Sequence, residues 1–483
     1  MNRQIVKLFA FTVVLFAVLI AFTSHWAVFD AEALKDKEAN KRPLLEQQQI
    51  RRGRILAADG TVIARSVPKG RGDSLRYVRR YPEGSLFGHP IGYSFVRQGN
   101  SEFEKYHDDE LIGNESEFTS ILDELRGRQQ EGNDIVTNID PEAQRIALEG
   151  LQSVPGFGAV VAIEPSTGRV RVLVSNPPYD PNRVPYELTK MNRNELEAPL
   201  VDRGTQSRYP PGSTFKVVTA TAALESGKVT PSTTFNDPGY CIEYGKKVLN
   251  FADQSGPEVF GTVTFAEALE NSINAVFCEI GKRFGARAIL DQAKKFGFYE
   301  KPPIDLPSNE ISVSGLYQNG HLYDPKDPNA VDPGRLAFGQ ERMQVTPLQM
   351  ALVAAAVAND GTIMVPTLVD RIVDPDGKVI QRPDPDTWKE PMSAKTAAEL
   401  TSMMTAVVQG GTGVAAQIPG IQVAGKTGTA ETGRTGENDT WFIAFAPAND
   451  PKVAVAVALS NQSGTGGATA APIAKEIIEA LLR

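Results

Sequence analysis

The stretch "GAVVAIEPSTGRVRVLVSNP", residues 158–177, marks the start of the largest structural unit that the sequence predicts. An apolar run leads into a turn at Pro165–Gly168, and Val170, Val172 and Val174 then alternate with other residues. Short apolar runs joined by turn residues are typical of paired β-strands. We therefore expect a β-hairpin here.

The chain ends on three more strand-like segments, "IQVAGKTGTAET", "TWFIAFAPAND" and "KVAVAVALSNQSG". A final helical segment repeats Ile473, Ile477 and Leu481 at every fourth residue, which gives it one apolar face for packing on a sheet. Helical patterns lie between the two groups of strands, at residues 213–225 and 346–360. Strands at both ends with helices between them predict one α/β domain whose first and last strands share a sheet.

The composition is that of an ordinary globular protein, with 41% hydrophobic and 22% charged residues in a chain of 483. A net charge of -8 argues against a nucleic-acid partner, since a phosphate backbone recruits clustered Lys and Arg. The four histidines are scattered without the spacing of metal ligands. We interpret none of them as catalytic or as a metal ligand.

The N-terminus carries an apolar stretch at residues 8–29 that contains no Lys, Arg, Asp or Glu. It is long enough to span a bilayer, with Trp26 at one interface. Because Arg3 and Lys7 precede it, we expect a cytoplasmic N-terminus and an extracytoplasmic remainder. A cleaved signal peptide is the alternative, with a cleavage site at residues 31–33. That site lies far beyond the most apolar part, so we favour an uncleaved anchor.

The region between the anchor and residue 158 is polar and predicts a smaller α+β domain. "RRGRILAADGTVIARS" places Asp59 and Gly60 between two apolar runs, which is a good hairpin signal. "NDIVTNIDPEAQRIALEGL" predicts a strand, an Asp-Pro break and a helix. The expected division is a cytoplasmic tail at 1–7, a transmembrane anchor at 8–29, an N-terminal domain at 30–157 and the large domain at 158–483.

Two cysteines, Cys241 and Cys278, are too few for a disulfide scaffold and wrongly spaced for a metal site. In an oxidising compartment they could pair with each other. Two small buried apolar side chains are an equally good interpretation. The sequence leaves both open.

The first candidate catalytic segment is "YPPGSTFK", where two prolines and a glycine precede Ser213. A helix is expected to begin at or just after Ser213, so a helix cap is its plain structural interpretation. Lys216 lies one turn further on the same face and could take the serine proton if burial or nearby positive charge keeps it neutral. The spacing alone is weak, because it recurs at Ser66 and Lys69 with Pro68 between them.

A second candidate is "ENSIN". Thr264 and Glu267 form a capping box that starts a helix before it. Ser272 and Asn274 can face one cleft only if the chain turns between helices at Asn271. The serine hydroxyl could then relay a proton, and the asparagine could hold a substrate amide.

The third candidate is the strand "AGKTGTAE". It places Lys426 and Gly428 on one side and Thr427 and Thr429 on the other. A glycine in mid-strand often marks the close approach of another backbone. A peptide could add alongside as an extra strand, with the lysine and the threonines receiving its carboxylate.

Together, and in this order, the three motifs resemble those of class B penicillin-binding proteins. "RGRIL", "YPEGSLFGHPIGY" and "EFEKYHDDELIG" resemble the N-terminal motifs of that class, and "FGQERMQVTPLQMALVAAAVANDGT" resembles a later one. The resemblance covers nearly all of the chain after residue 50. Ala57 and Ala58 depart from it, where the family usually has a charged pair.

The resemblance implies a penicillin-binding transpeptidase fold: an antiparallel sheet flanked by helices, an all-helical subdomain, and a pedestal or dimerisation domain after the anchor. It implies a D,D-transpeptidase that cross-links peptidoglycan stem peptides ending in D-Ala-D-Ala and is covalently inhibited by β-lactams. Such an enzyme needs neither a metal nor an organic cofactor. Ser213 would be the nucleophile, Lys216 its base and Ser272 the proton relay. Asn274, Lys426, Thr427, Gly428 and Thr429 would bind substrate, and the backbone N–H groups of Ser213 and Thr429 would form the oxyanion hole.

The resemblance also implies a polytopic membrane glycosyltransferase as partner, in elongation or division. Alternatives are a D,D-carboxypeptidase, in which water takes the place of the amine, and a non-catalytic β-lactam sensor or scaffold. A β-lactamase is disfavoured because the sequence has no Glu-x-x-Leu-Asn segment to activate water.

Overall fold

The structure is a computed structural model that describes residues 2–24, 48–113, 130–250, 252–253, 256–327, 330–432 and 437–483. Helix α1 (Asn2–Ser24) is apolar and exposed. In the described part of the chain it is the one helix long and apolar enough to cross a membrane. Residues 25–29 of the predicted span, Trp26 among them, and the alternative cleavage site at 31–33 lie outside the described residues.

The remaining helices are α2 (Gly88–Ile91), α3 (Glu102–Tyr106), α4 (Asp108–Ile112), α5 (Pro141–Gln152), α6 (Val184–Arg193), α7 (Lys216–Glu225), α8 (Phe265–Glu270), α9 (Asn274–Lys295), α10 (Pro333–Ala337), α11 (Pro347–Ala358), α12 (Ala394–Gln409) and α13 (Gly466–Leu481). The strands of the first half are β1 (Ile55–Leu56), β2 (Val62–Lys69), β3 (Arg76–Arg80), β4 (Ser94–Phe95), β5 (Gly99–Asn100), β6 (Asp134–Thr137), β7 (Gly158–Ile163), β8 (Val170–Asn176), β9 (Thr234–Asp237), β10 (Tyr240–Glu243) and β11 (Lys246–Leu249). Those of the second half are β12 (Ala252–Asp253), β13 (Gly256–Pro257), β14 (Gly261–Thr264), β15 (Gly315–Gln318), β16 (His321–Leu322), β17 (Met343–Gln344), β18 (Ile363–Met364), β19 (Val369–Val373), β20 (Val379–Gln381), β21 (Thr387–Lys389), β22 (Ala424–Glu431), β23 (Asn438–Ala446) and β24 (Val453–Gln462).

The large domain is built on a five-stranded antiparallel sheet in the order β22-β23-β24-β7-β8. Strands from the two ends of the domain therefore share one sheet, as the sequence predicts. The hairpin of β7 and β8 forms around the predicted turn. Strand β22, which carries the Lys-Thr-Gly motif, lies at an edge and pairs only with β23 among the described strands.

Helices cover both faces of this sheet, which is why its strands are apolar on both sides. Val160 and Phe442 point to one face and pack in a core with α5 and α13, where Ile473 and Ile477 are buried. Val161, Ile163 and Leu173 point to the other face, into the larger core that includes α7, α9, α11 and α12. The predicted fold class is confirmed, although the helical part also carries short strands such as the β10–β11 hairpin.

The N-terminal sheet has the order β20-β19-β6-β1-β2-β3. The predicted hairpin at Asp59 and Gly60 joins β1 to β2, with the Asp59 carboxylate accepting from the Thr61 N–H at 2.8 Å. Strand β6 pairs parallel with β1, and β19 adds antiparallel to its other side. Two strands of this sheet thus come from beyond residue 158, so the two domains are joined by shared hydrogen bonds as well as by the chain. The division at residue 158 stays a prediction.

The Asp-Pro break before α5 works as predicted, because the Asp140 carboxylate caps that helix by accepting from the N–H groups of Glu142 and Ala143. Cys241 on β10 and Cys278 on α9 form a disulfide. Together with Glu243 they are the one Cys, Asp, Glu or His cluster in the described residues with metal-like spacing, but the two sulfurs are bonded to each other. The disulfide fixes the hairpin to helix α9.

Candidate active site

The candidate nucleophile lies on a tight approach to helix α7. Gly212 has φ +51, and a 3-10 segment runs from Gly212 to Phe215 before α7 begins at Lys216. Ser213 therefore lies inside the 3-10 segment rather than capping a helix, which corrects the capping interpretation. Its side chain is half-buried and its Oγ forms no hydrogen bond with residues that the structure describes. The hydroxyl is free to meet a substrate.

Strands β22 and β23 hold this approach in place. The Trp441 indole N–H donates to the Pro210 carbonyl at 3.0 Å. A Cβ on Gly428 would lie 2.9 Å from the Pro211 carbonyl oxygen and 2.9 Å from Thr214 Cγ2. Gly428 is therefore required by close backbone approach, as its mid-strand position predicts. Trp441 had no motif to mark it beyond an aromatic residue in a predicted strand.

The Ser-x-Asn motif occupies the turn between two helices. Thr264 and Glu267 form the predicted capping box at the start of α8, which ends at Glu270, and α9 begins at Asn274. Ser272 has φ +57, a left-handed conformation that few non-glycine residues adopt. That conformation turns both Ser272 and Asn274 toward Lys216.

Two lysines meet at Ser272. The Lys216 Nζ lies 2.6 Å from the Ser272 carbonyl oxygen, 2.7 Å from Asn274 Oδ1 and 3.2 Å from Ser272 Oγ. The Lys426 Nζ donates to the same Ser272 Oγ at 2.9 Å and to the Thr427 carbonyl at 3.1 Å. Residues from three distant segments are thus joined in one network, which no single motif predicts.

The network is buried on the lysine side and open on the other. Both lysine side chains have no exposed surface, whereas Ser213, Ser272, Asn274 and Thr429 are half-buried. Burial, and then the neighbouring Lys426, hold the pKa of Lys216 well below its usual value. Burial lowers the pKa of Lys426 to about 7. The structure therefore provides both conditions for a neutral Lys216, desolvation and adjacent positive charge.

The threonines of β22 point away from the lysines, as strand alternation predicts. Thr427 shares a hydrogen bond of 2.6 Å with Thr412, and Thr429 accepts from the Gly466 N–H at 3.2 Å. Thr412 was not found from sequence, because it lies in a glycine-rich stretch without a motif of its own. It fixes the hydroxyl of Thr427 at the edge of the sheet.

A serine at the start of a helix, two buried lysines around a second serine, and a Lys-Thr-Gly edge strand define a penicillin-recognising serine acyltransferase. The chain matches the family model "Penicillin binding protein transpeptidase domain" over residues 158–479 and "Penicillin binding protein A dimerisation domain" over residues 52–135. The chain therefore belongs to the penicillin-binding protein transpeptidase family, and the predicted family and fold are confirmed.

Several relatives extend the likeness over 90–100% of the chain. It is 35% identical to the peptidoglycan D,D-transpeptidase PbpA of Mycolicibacterium smegmatis, over 100% of this chain and 99% of that protein. It resembles the penicillin G acyl-enzyme complex of penicillin-binding protein A from M. tuberculosis, with a TM-score of 0.78, 34% identity, and 90% and 100% of the two chains covered. Penicillin-binding protein 2 of Pseudomonas aeruginosa is also similar, with a TM-score of 0.74, 29% identity, and 90% and 96% covered.

Proposed function

We propose that the protein is a serine D,D-transpeptidase that cross-links peptidoglycan stem peptides through an acyl-enzyme on Ser213, and that β-lactams acylate the same serine. The observation that carries the proposal is the meeting of two fully buried lysines at Ser272 Oγ, with Lys216 one turn after Ser213. Such a site can move a proton without a metal or a cofactor.

In the acylation step, Ser213 Oγ attacks the carbonyl carbon of the terminal D-Ala-D-Ala bond while its proton passes to Lys216 Nζ. The N–H groups of Ser213 and Thr429 stabilise the developing oxyanion. The C–N bond then breaks, and the departing D-alanine amine takes a proton relayed through Ser272. An acceptor amine next attacks the ester, which forms the new peptide bond and returns the proton to Ser213.

The hydrogen bonds of Lys216 support its role as the base. A neutral amine has two N–H groups and one lone pair, whereas an ammonium has three donors and no acceptor. The two short contacts of Lys216 go to acceptors, the Ser272 carbonyl and Asn274 Oδ1. In a neutral amine they use both hydrogens, and the lone pair is left for the third contact, where the Ser272 hydroxyl lies 3.2 Å away and can donate its proton.

The edge strand supports the binding roles of Lys426, Thr427, Gly428 and Thr429. A donor peptide can pair with the free edge of β22, as peptides do with exposed sheet edges. Since the pKa of Lys426 is about 7, an arriving carboxylate shifts it to the protonated form and gains an ion pair. Asn274 is half-buried beside Lys216, and the amide N–H that is not bonded to Leu249 can donate to the donor peptide.

The cell-membrane location and partner belong to the same proposal. Helix α1 would anchor the chain with the N-terminus cytoplasmic and the catalytic domain extracytoplasmic. The Cys241–Cys278 disulfide supports an oxidising compartment. The anchor and the division into domains 30–157 and 158–483 suit a polytopic membrane glycosyltransferase partner that polymerises glycan. A cysteine introduced at an exposed position of the catalytic domain should react with a membrane-impermeant maleimide in intact cells, and lack of labelling before lysis would overturn this topology.

The catalytic assignment is tested by treating the full chain with labelled penicillin and mapping the adduct by mass spectrometry. We expect one covalent adduct on the peptide that carries Ser213, and none in Ser213→Ala. An adduct that persists in that variant, or that maps to another residue, overturns the assignment of Ser213.

The reaction class needs a second measurement, with a stem-peptide donor in the presence and absence of an amine acceptor. Cross-linked product in the presence of acceptor is the expected result. Release of free D-alanine alone, at the same rate with and without acceptor, would instead identify a D,D-carboxypeptidase.

A further inference from the structure

A buried asparagine outside the three motifs joins the active-site turn to the rest of the domain. Asn250 follows strand β11, and only 5% of its surface is exposed. Its Nδ2 donates to both carboxylate oxygens of Asp237 at 2.9 Å and to the Glu258 carbonyl at 3.1 Å. Its Oδ1 accepts from the Ala275 N–H at 3.2 Å. Both ends of the amide are thus held by hydrogen bonds.

The Asp237 carboxylate fixes the side-chain amide of Asn250. Its side chain is buried, and its oxygens also accept from the N–H groups of Gly239 and Phe260, each at 2.9 Å. A buried carboxylate is tolerated only when hydrogen bonds replace its water. Because those two N–H groups belong to the backbone and hold the carboxylate in place, Asp237 presents a fixed pair of acceptors to the Asn250 amide.

Asn250 and its neighbour form a two-point clamp on the start of helix α9. The Asn250 Oδ1 accepts from Ala275, the residue after Asn274, and thereby satisfies an N–H that the helix leaves unpaired. The carbonyl of Leu249, the residue before Asn250, accepts from Asn274 Nδ2 at 2.9 Å. Two consecutive residues of one segment therefore hold two consecutive residues of the other.

The clamp decides which end of the Asn274 amide faces Lys216. With Nδ2 bonded to Leu249, Oδ1 points to the Lys216 Nζ, 2.7 Å away. An amide turned the other way would present an N–H donor to the lysine and compete for its lone pair. The orientation of one side chain thus sets the direction of the hydrogen bonds around the base.

We propose that Asn250, held by Asp237, is a positioning residue for the acylation step: it fixes Asn274, and through Asn274 the Lys216 amine. It touches neither substrate nor reacting atoms. The inference rests on the proposed function of Lys216 as the base. A small displacement of a catalytic group can lower a rate by about 100-fold, so the effect should appear in the rate constant rather than in binding.

The test compares Asn250→Ala with Asn138→Ala in the full chain. Asn138 is a matched control because it is equally buried and donates to two backbone carbonyls, Thr367 at 3.1 Å and Val369 at 2.9 Å, in the joint with the N-terminal sheet. Acylation by labelled penicillin is followed over a range of concentrations. We expect Asn250→Ala to lower the limiting acylation rate constant about 10- to 100-fold with little change in the half-saturating concentration. Asn138→Ala should lower the thermal midpoint and leave that rate constant unchanged.

A comparison at a temperature well below both thermal midpoints separates positioning from general destabilisation. Both alanine variants are then almost fully folded, so loss of folded protein lowers neither rate constant. We expect the limiting acylation rate constant to remain low in Asn250→Ala alone.

The outcomes distinguish this inference from the proposed function. If Ser213→Ala loses the adduct but Asn250→Ala acylates like the wild type, or slows no more than Asn138→Ala, the positioning role is refuted and the nucleophile stands. If Ser213→Ala still forms the adduct, the proposed function itself fails. A rate constant of Asn250→Ala that returns to the wild-type value under those conditions also counts against the role of the pair.

Discussion

Replacing Lys426 by glutamine should move the pH dependence of acylation to higher pH. Lys216 must lose its proton to act as the base, so the acylation rate should rise with pH on an acid limb that follows Lys216. The adjacent Lys426 is one of the two causes that lower the pKa of Lys216. Removing that charge leaves burial as the only cause, and the pKa of Lys216 should rise.

The size of the shift follows from the geometry. Both Nζ atoms contact Ser272 Oγ, at 3.2 and 2.9 Å, so they are no more than about 6 Å apart. Two unit charges at that distance repel by about 2.8 kcal/mol at an effective dielectric constant near 20, or about 2 pKa units. Because the pKa of Lys426 is about 7, it carries only part of a charge near neutral pH. We expect a shift of about one pH unit.

The assay measures the rate of acylation by labelled penicillin between about pH 5.5 and 9.5, a window that extends to both sides of the Lys426 pKa of about 7. Thr427→Val is the matched control, since it alters the carboxylate site without changing charge and should leave the acid limb in place. An acid limb that stays fixed in Lys426→Gln, or moves to lower pH, would refute the electrostatic coupling of the two lysines.

Three further predictions concern stability and packing. Gly428→Ala places a Cβ 2.9 Å from the Pro211 carbonyl oxygen. The substitution should lower stability by about 1–3 kcal/mol and slow acylation. A variant with the thermal midpoint and the acylation rate of the wild type would contradict the packing argument. Burial raises the pKa of Asp439 to about 6, so the wild type loses stability as pH rises from about 4 to 6. Asp439→Asn should gain about 3 kcal/mol at pH 8 and almost nothing at pH 4, measured by thermal unfolding; an equal gain at both pH values would exclude ionisation as the cause. Reducing the Cys241–Cys278 disulfide should lower the free energy of unfolding by about 2–4 kcal/mol. It should also slow acylation, because the β10–β11 hairpin leads directly into the clamp on Asn274. An acylation rate that does not change when a thiol reductant is added would refute the link between the disulfide and the clamp.

The features predicted correctly from the sequence are those that depend on residues close together in the chain. The β7–β8 hairpin, the Asp140 cap and the capping box at Thr264 and Glu267 depend on residues a few positions apart, and the structure has each of them. The role of Gly428 was also recoverable, because a glycine weakens the middle of a strand and is favoured there where another backbone comes close.

Long-range contacts were beyond the reach of the sequence. Asn250 lies 25 residues from Ala275 in sequence, and Trp441 lies 231 residues from Pro210. An asparagine after a strand and a tryptophan within one are ordinary by local pattern, and only the fold shows what they hold. The capping interpretation of Ser213 was wrong for a related reason: contacts with β22 and β23, and not helix propensity, set the conformation of that segment.

Lys216 and Lys426 are equally buried, but their neighbours favour the neutral form of Lys216 and the protonated form of Lys426. The strongest contacts of Lys216 are two fixed acceptors, which suit the two hydrogens of a neutral amine. Lys426 lies on the edge strand, where a substrate carboxylate would arrive, and it donates to Ser272 Oγ. A carboxylate bound there favours the proton on Lys426, and a proton on Lys426 disfavours one on Lys216. Binding of the substrate carboxylate at Lys426 would thus place the proton on that lysine rather than on Lys216, which leaves Lys216 as the base.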